Sequence, residues 1–154
     1  MTKQEVKDEF KDTEGKPEIK QKIRQLQMQM AYRRMMQDVP EADVIITNPE
    51  HYAVALKYDA NTMAAPLLLA KGVDDVAEKI KEIARAHKIE VLSAPPLARS
   101  VYYNTEVGGE IPSGLYMAIA QVLAYIFQLK RHRSGYSQKP SQPKYPIPDD
   151  LKHD

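Results

Sequence analysis

The sequence predicts an α/β fold: a small mixed four-stranded sheet surrounded by helices, with an N-terminal helical arm and a disordered C-terminal tail. Three observations predict it. Between Val44 and Leu92 lie four short runs rich in β-branched or leucine residues, separated by turn residues. An amphipathic helical segment sits between the third and fourth runs. After Arg133 the chain has four prolines and only two aliphatic side chains, too few to offset the entropy of ordering it. The strand–strand–strand–helix–strand order lacks the βα alternation of a doubly wound nucleotide fold.

Taken in order, residues 1–17 carry mixed charge and few large apolar groups, and are expected to be flexible. Residues 18–40 form a linker helix and its end. Ile19, Ile23, Leu26 and Met30 recur at steps of four, three and four, and Pro40 stops the helix. Residues 41–133 form the folded domain. Val44–Thr47 and Tyr52–Tyr58 are two strands joined by Asn48-Pro49-Glu50-His51. Leu67–Lys71 is a third, closed by Gly72. Asp75 and Glu78 can make a capping box for a helix whose apolar face is Val76, Ile80, Ile83 and His87. Ile89–Leu92 is the fourth strand. Pro95-Pro96 suits the first turn of a helix from Leu97 to Tyr103. Ser113 can cap a last helix from Gly114 to about Lys130. Residues 134–154 are the tail.

Composition excludes several classes of function. The chain has 154 residues, 43% hydrophobic and 28% charged, which fits one domain with extensions. Its 22 basic and 21 acidic residues leave a net charge of +1, which argues against a fold-wide basic field for nucleic acid. There is no cysteine, so disulfides and thiolate metal sites are excluded. The four histidines (His51, His87, His132 and His153) lie far apart and show no ligand spacing. No metal or other cofactor is expected. No signal segment opens the sequence. Its longest apolar stretch, GLYMAIAQVLAYIF, falls short of the about 20 residues a membrane span needs. Phosphate-cradling glycine loops, nucleophile elbows and internal repeats are also absent.

Two features could carry chemistry. Asn48-Pro49 is the only Asn-Pro dipeptide. Proline has no backbone N–H, so the usual deamidation, in which the next residue's nitrogen attacks the side chain, is closed. Asn48 can instead attack its own backbone carbonyl through its side-chain nitrogen. This forms a cyclic imide and expels the Pro49 nitrogen. His51 can move protons near neutral pH. Asn-Pro is equally a common turn opener. The second feature is the last helix. Leu115, Ile119, Val122, Ile126 and Leu129 form one apolar stripe, and Tyr116, Ala120, Leu123 and Phe127 form another. Packing on one small sheet needs a single stripe. Two stripes mean either full burial or an exposed patch that receives a partner. Met63-Ala64-Ala65-Pro66, before the third strand, is similarly apolar for a connector.

The blocks ADVIITNPEHYAVALKYD, MAAP…LAKG, APPLARSVY and EIPSGLYMAIAQVLAYIFQLKR resemble the FlhB/YscU family of type III export-apparatus proteins, in its flagellar branch. The resemblance covers roughly residues 18–133. It implies the part of the family that lies on the cytoplasmic face of the bacterial inner membrane. There a membrane domain of several helices precedes it, and that domain is the only link to the membrane. It also implies a substrate-specificity switch rather than a turnover enzyme. The family cuts itself between Asn and Pro of an Asn-Pro-Thr-His motif, which falls here on Asn48, Pro49 and His51. Glu50 replaces the threonine. The implied partners are exported rod and hook subunits, a hook-length-control protein and other export-gate subunits. Docking of early export substrates falls on Ala65, Pro66, Ala120 and Leu123. The rival reading is a small nucleic-acid-binding α/β domain using a basic arm of Lys16, Lys20, Lys22, Arg24, Arg33 and Arg34. It lacks the interleaved aromatics that such binding uses.

Overall fold

A computed structural model describes residues 16–133, 135 and 140–153. The chain divides into two compact units, residues 1–34 and 35–154. The described part of the first is Lys16 and residues 17–34 of helix α1 (Pro17–Asp38). There Ile23, Leu26, Met28 and Met30 are all exposed, so the apolar recurrence seen in the sequence builds no buried face. The expectation for residues 1–17 lies outside the described residues, apart from Lys16 and Pro17. Among the described residues, no helix is long and apolar enough to cross a membrane.

The second unit is built on a four-stranded sheet in the order β3-β2-β1-β4. Its strands are β1 (Val44–Asn48), β2 (Tyr52–Lys57), β3 (Leu67–Val73) and β4 (Glu90–Ser93). β1 pairs antiparallel with β2 and parallel with β4, and β2 pairs antiparallel with β3. This is the mixed α/β fold the sequence predicts. β1 is covered on both edges and both faces, which is why its run Val44-Ile45-Ile46-Thr47 is buried throughout.

Side chains alternate between two cores, as the pleat requires. Val44, Ile46, Val54, Leu56, Leu68 and Leu92 face α3 (Pro95–Asn104) and α4 (Tyr116–Arg133), which add Leu97, Val101, Ile119, Val122 and Ile126, with Leu115 just before α4. Each such side chain contributes about 1.5–3 kcal/mol by leaving water. Ile45, Ala53, Ala55 and Ala70 face α2 (Asp74–Ala86), which adds Ala77, Ile80 and Ala84. Leu68 and Ala70 share parity yet lie in opposite cores. The pairing explains it: Leu56 meets Leu68, but Ala55 meets Ala70, so Leu69 is a bulged residue that resets the alternation. α2 sits close because alanines line its bed. At the β3–α2 junction a Cβ on Gly72 would collide with Val76.

Three local expectations change. The helix begun by Asp75 and Glu78 starts at Asp74 with Val73 as N-cap and no side-chain cap hydrogen bond; Glu78 pairs with Lys81 instead of closing a capping box. Ser113 does not cap the last helix. It begins a 3-10 turn (Ser113–Leu115) that leads into α4 at Tyr116. The tail is the larger change, because its described part, residues 140–153, is packed rather than free. Tyr145, Ile147 and Leu151 lie against the α3–α4 core. Ser100 Oγ donates to the Leu151 carbonyl at 2.6 Å, Arg99 Nε donates to the His153 carbonyl at 3.0 Å, and Gln142 Nε2 donates to the Ser93 carbonyl at 3.0 Å. Few apolar groups suffice because Pro143, Pro146 and Pro148 restrict the backbone before it docks. Gly114 leaves the space: a Cβ there would stand 2.7 Å from Leu151 Cδ1.

Candidate functional site

Asn48 ends the central strand and pairs with Tyr52, the first residue of β2, so Pro49-Glu50-His51 must turn the chain within three residues. The turn is closed by a backbone hydrogen bond in which His51 N–H donates to the Asn48 carbonyl oxygen at 2.8 Å. That oxygen belongs to the Asn48–Pro49 peptide bond. An N–H aimed at it polarises the carbonyl and stabilises negative charge that develops there. Asn48 is half-buried, while Pro49, Glu50 and His51 are exposed.

The sequence reading missed a residue that touches this turn. Tyr52 pairs not only with Asn48 but, on its other edge, with Val73 at the end of β3. The next residue, Asp74, therefore lies beside His51. Its backbone N–H donates to the His51 carbonyl at 2.8 Å, and its Oδ1 stands 3.2 Å from His51 Nδ1. Asp74 holds φ at +49°, a left-handed conformation that Asp and Asn tolerate better than most side chains.

Tyr52 leads away from the turn into an aromatic cluster. Its hydroxyl lies 2.7 Å from that of Tyr103, and its ring centroid lies 5.1 Å from that of Tyr102. The hydrogen bond to Tyr103, and then burial, push the Tyr52 hydroxyl above its ordinary pKa. His153 stacks on Tyr103 with centroids 3.6 Å apart. Beside the cluster, Lys71 Nζ donates to the carbonyls of Tyr102 and Thr105 at 2.9 and 2.8 Å, near the end of α3.

The apolar residues singled out in the sequence lie elsewhere. Of the two stripes on the last helix, the first is buried through Leu115, Ile119, Val122 and Ile126. The second stays on the surface: Tyr116, Ala120 and Phe127 are exposed and Leu123 is half-buried. Pro66, Ala120 and Leu123 come together with Tyr58, Ala64, Tyr116 and Ile119 around a cavity of about 170 Å³. Ala65 is only 3% exposed and is not among the lining residues; its neighbour Ala64 is. Tyr58 follows the last residue of β2, whereas His51 precedes the first. Turn and cavity thus lie at opposite ends of one strand, about 20 Å apart. Among the described residues no His, Asp or Glu cluster could hold a metal ion.

Comparison with known proteins gives a consistent picture. A flagellar biosynthetic protein FlhB of Salmonella typhimurium is 53% identical over 152 residues, which cover 98% of this chain and 40% of that protein. The chain thus spans about two fifths of the length of that relative. The crystal structure of the cytoplasmic domain of FlhB from Shewanella putrefaciens matches with a TM-score of 0.76 and 56% identity, over 79% of this chain and 95% of that one. A mutated EscU C-terminal domain matches with a TM-score of 0.56 and 30% identity, over 58% of this chain and 90% of that one. A family profile matches residues 1–126. On this evidence of sequence and fold together, the chain belongs to the FlhB HrpN YscU SpaS family.

Proposed function

We propose that this domain is the substrate-specificity switch of a flagellar type III protein export apparatus, acting at the cytoplasmic face of the inner membrane. Its chemistry is a single self-cleavage between Asn48 and Pro49 rather than turnover, and it needs no cofactor. The observation that carries this reading is the His51 N–H on the Asn48 carbonyl oxygen, 2.8 Å away, in a turn that ends the central strand. In the reaction, Asn48 Nδ2 forms a bond to its own carbonyl carbon and gives up a proton. The His51 N–H stabilises the oxyanion. The bond from carbon to the Pro49 nitrogen then breaks, and that nitrogen takes a proton. The products are a cyclic imide on residue 48, later opened by water, and a new N-terminus at Pro49.

The two pieces stay together because β1 remains paired with β2 and β4 after the cut. The freed loop then lets the apparatus pass from rod and hook subunits to later ones, under a hook-length-control protein and beside other export-gate subunits. The cavity formed by Pro66, Ala120 and Leu123 receives an apolar segment of the early subunits, with the buried Ala65 next to Pro66 in the chain. Mass spectrometry under denaturing conditions tests the cleavage. The parent should yield residues 1–48 and 49–154, and Asn48→Ala should stay whole, having no side-chain nitrogen to attack. Cleavage of both chains would overturn the cyclic-imide route.

A further inference from the structure

The cleavage turn is clasped at two points by one residue from a distant part of the chain. Asp74 donates its backbone N–H to the His51 carbonyl at 2.8 Å and places Oδ1 3.2 Å from His51 Nδ1. It does so from a left-handed backbone, φ +49°, at the first residue of α2. Non-glycine residues adopt that conformation at a cost in free energy. Glycine would adopt it freely, so the backbone conformation does not by itself call for a carboxylate, and the helix start offers it only the modest favour of the dipole. The carboxylate accepts a proton-bearing nitrogen, and an imidazole that donates from Nδ1 keeps Nε2 as its acceptor. Free imidazole favours the other tautomer, with the proton on Nε2.

We propose that Asp74 is a positioning residue for self-cleavage: it fixes the His51 ring in the tautomer whose Nε2 accepts a proton, and tethers the His51 backbone that holds the Asn48 carbonyl. This rests on the cleavage reading above. Within that reaction, the proton lost by Asn48 Nδ2 on attack goes to His51 Nε2 and is passed to the Pro49 nitrogen as the carbon–nitrogen bond breaks. Asp74 neither gains nor loses a proton. It acts through His51 alone.

Two variants separate this role from a structural one. Asp74→Gly keeps the backbone conformation and the N–H clasp but removes the carboxylate. Asp74→Asn keeps a side-chain oxygen that can accept from Nδ1 but removes the charge. Cleavage should slow about tenfold in Asp74→Gly and less in Asp74→Asn, the scale expected when a group that orients a catalytic imidazole is lost. The melting temperature of Asp74→Gly should be equal to or above the parent's. A purely structural role predicts the reverse pattern: Asp74→Gly loses the carboxylate's support of the helix start and melts lower, while cleavage is unchanged. A second readout does not depend on cleavage. In an Asn48→Ala background, the carbon-13 shift of His51 Cδ2 should report the proton on Nδ1 when Asp74 is present, and on Nε2 in Asp74→Gly. An identical shift in both chains, or unchanged cleavage in Asp74→Gly, would overturn the assignment. If the parent is never cut but the shift moves as expected, the cleavage reading fails while the hold of Asp74 on the His51 tautomer stands.

Discussion

Glu50 is the residue at which this chain departs from the Asn-Pro-Thr-His motif, and its effect is electrostatic. It is exposed and adjacent to Pro49, so it places a carboxylate two residues from the carbonyl that becomes an oxyanion in the proposed cleavage. An exposed charge at that range costs about 0.3–1 kcal/mol, or roughly two- to fivefold in rate. Glu50→Thr should therefore be cut faster than the parent, and the gap should close at high salt, where exposed charges are screened. Time courses by mass spectrometry at two ionic strengths check it; a parent cut faster than Glu50→Thr would show that the carboxylate assists instead. Leu123 poses the other residue-scale question. It lines the cavity and partly packs on the α3–α4 core. Leu123→Asp should weaken binding of an early export subunit by about 1–3 kcal/mol, the scale of one aliphatic side chain leaving water. A circular-dichroism melt must accompany the titration. Collapse of the fold would assign Leu123 to the core, and the docking reading would lose its central contact.

At the scale of elements, β2 separates the turn proposed for cleavage from the cavity proposed for docking. The turn lies before its first residue and the cavity beside Tyr58, after its last. Cleavage and docking should then be separable, with the cleavage-dead Asn48→Ala binding an early subunit within about twofold of the parent, as independent distant sites do. A tenfold difference by calorimetry would show that the strand couples them. The β3–α3 contact offers a stability test. Lys71 satisfies two carbonyls near the end of α3 and lies 4.8 Å from the Tyr102 ring centroid. Lys71→Met should destabilise the domain by about 1.5–3 kcal/mol, the range for hydrogen bonds from a charged group, read as a lowered denaturant midpoint. The strands were legible in the sequence because β-branched runs between turn residues have few alternatives. The second stripe of α4 was legible as a surplus of apolar positions over what one sheet can cover, but the sequence left open whether it is buried, and the structure exposes it at Tyr116 and Phe127. Asp74 was not legible. It is 23 residues from His51, and only the register that sets Tyr52 against Val73 brings the two together. The start of α2 was legible to within one residue, but its capping was not, since a capping box needs Glu78 to reach back and Glu78 pairs with Lys81.

At the scale of the whole molecule, the packed unit is larger than the sequence suggested, because residues 140–153 dock on it. Counting aliphatic residues missed the fit: Tyr145, Ile147 and Leu151 each meet the α3–α4 core, and Gly114 opens the space that Leu151 and Pro148 occupy. Gly114→Ala should displace the Leu151 side chain and loosen residues 140–153 while leaving the sheet intact, seen as faster hydrogen exchange in that segment alone. Burial also pushes the Tyr145 hydroxyl above its ordinary pKa. At neutral pH the phenol is protonated whether docked or free, and pH has no effect. Above about pH 10 the free tail ionises while the docked one resists, so docking should weaken as pH rises. The proposed function turns on β1: the peptide bond after its last residue is the one proposed to be cut, while its pairing on both edges is kept. Native and denaturing mass spectrometry of one sample test it most directly. The account predicts a single native species holding both pieces, which separates under denaturing conditions into residues 1–48 and 49–154. A parent that stays whole in denaturant, or two pieces already apart under native conditions, would contradict it.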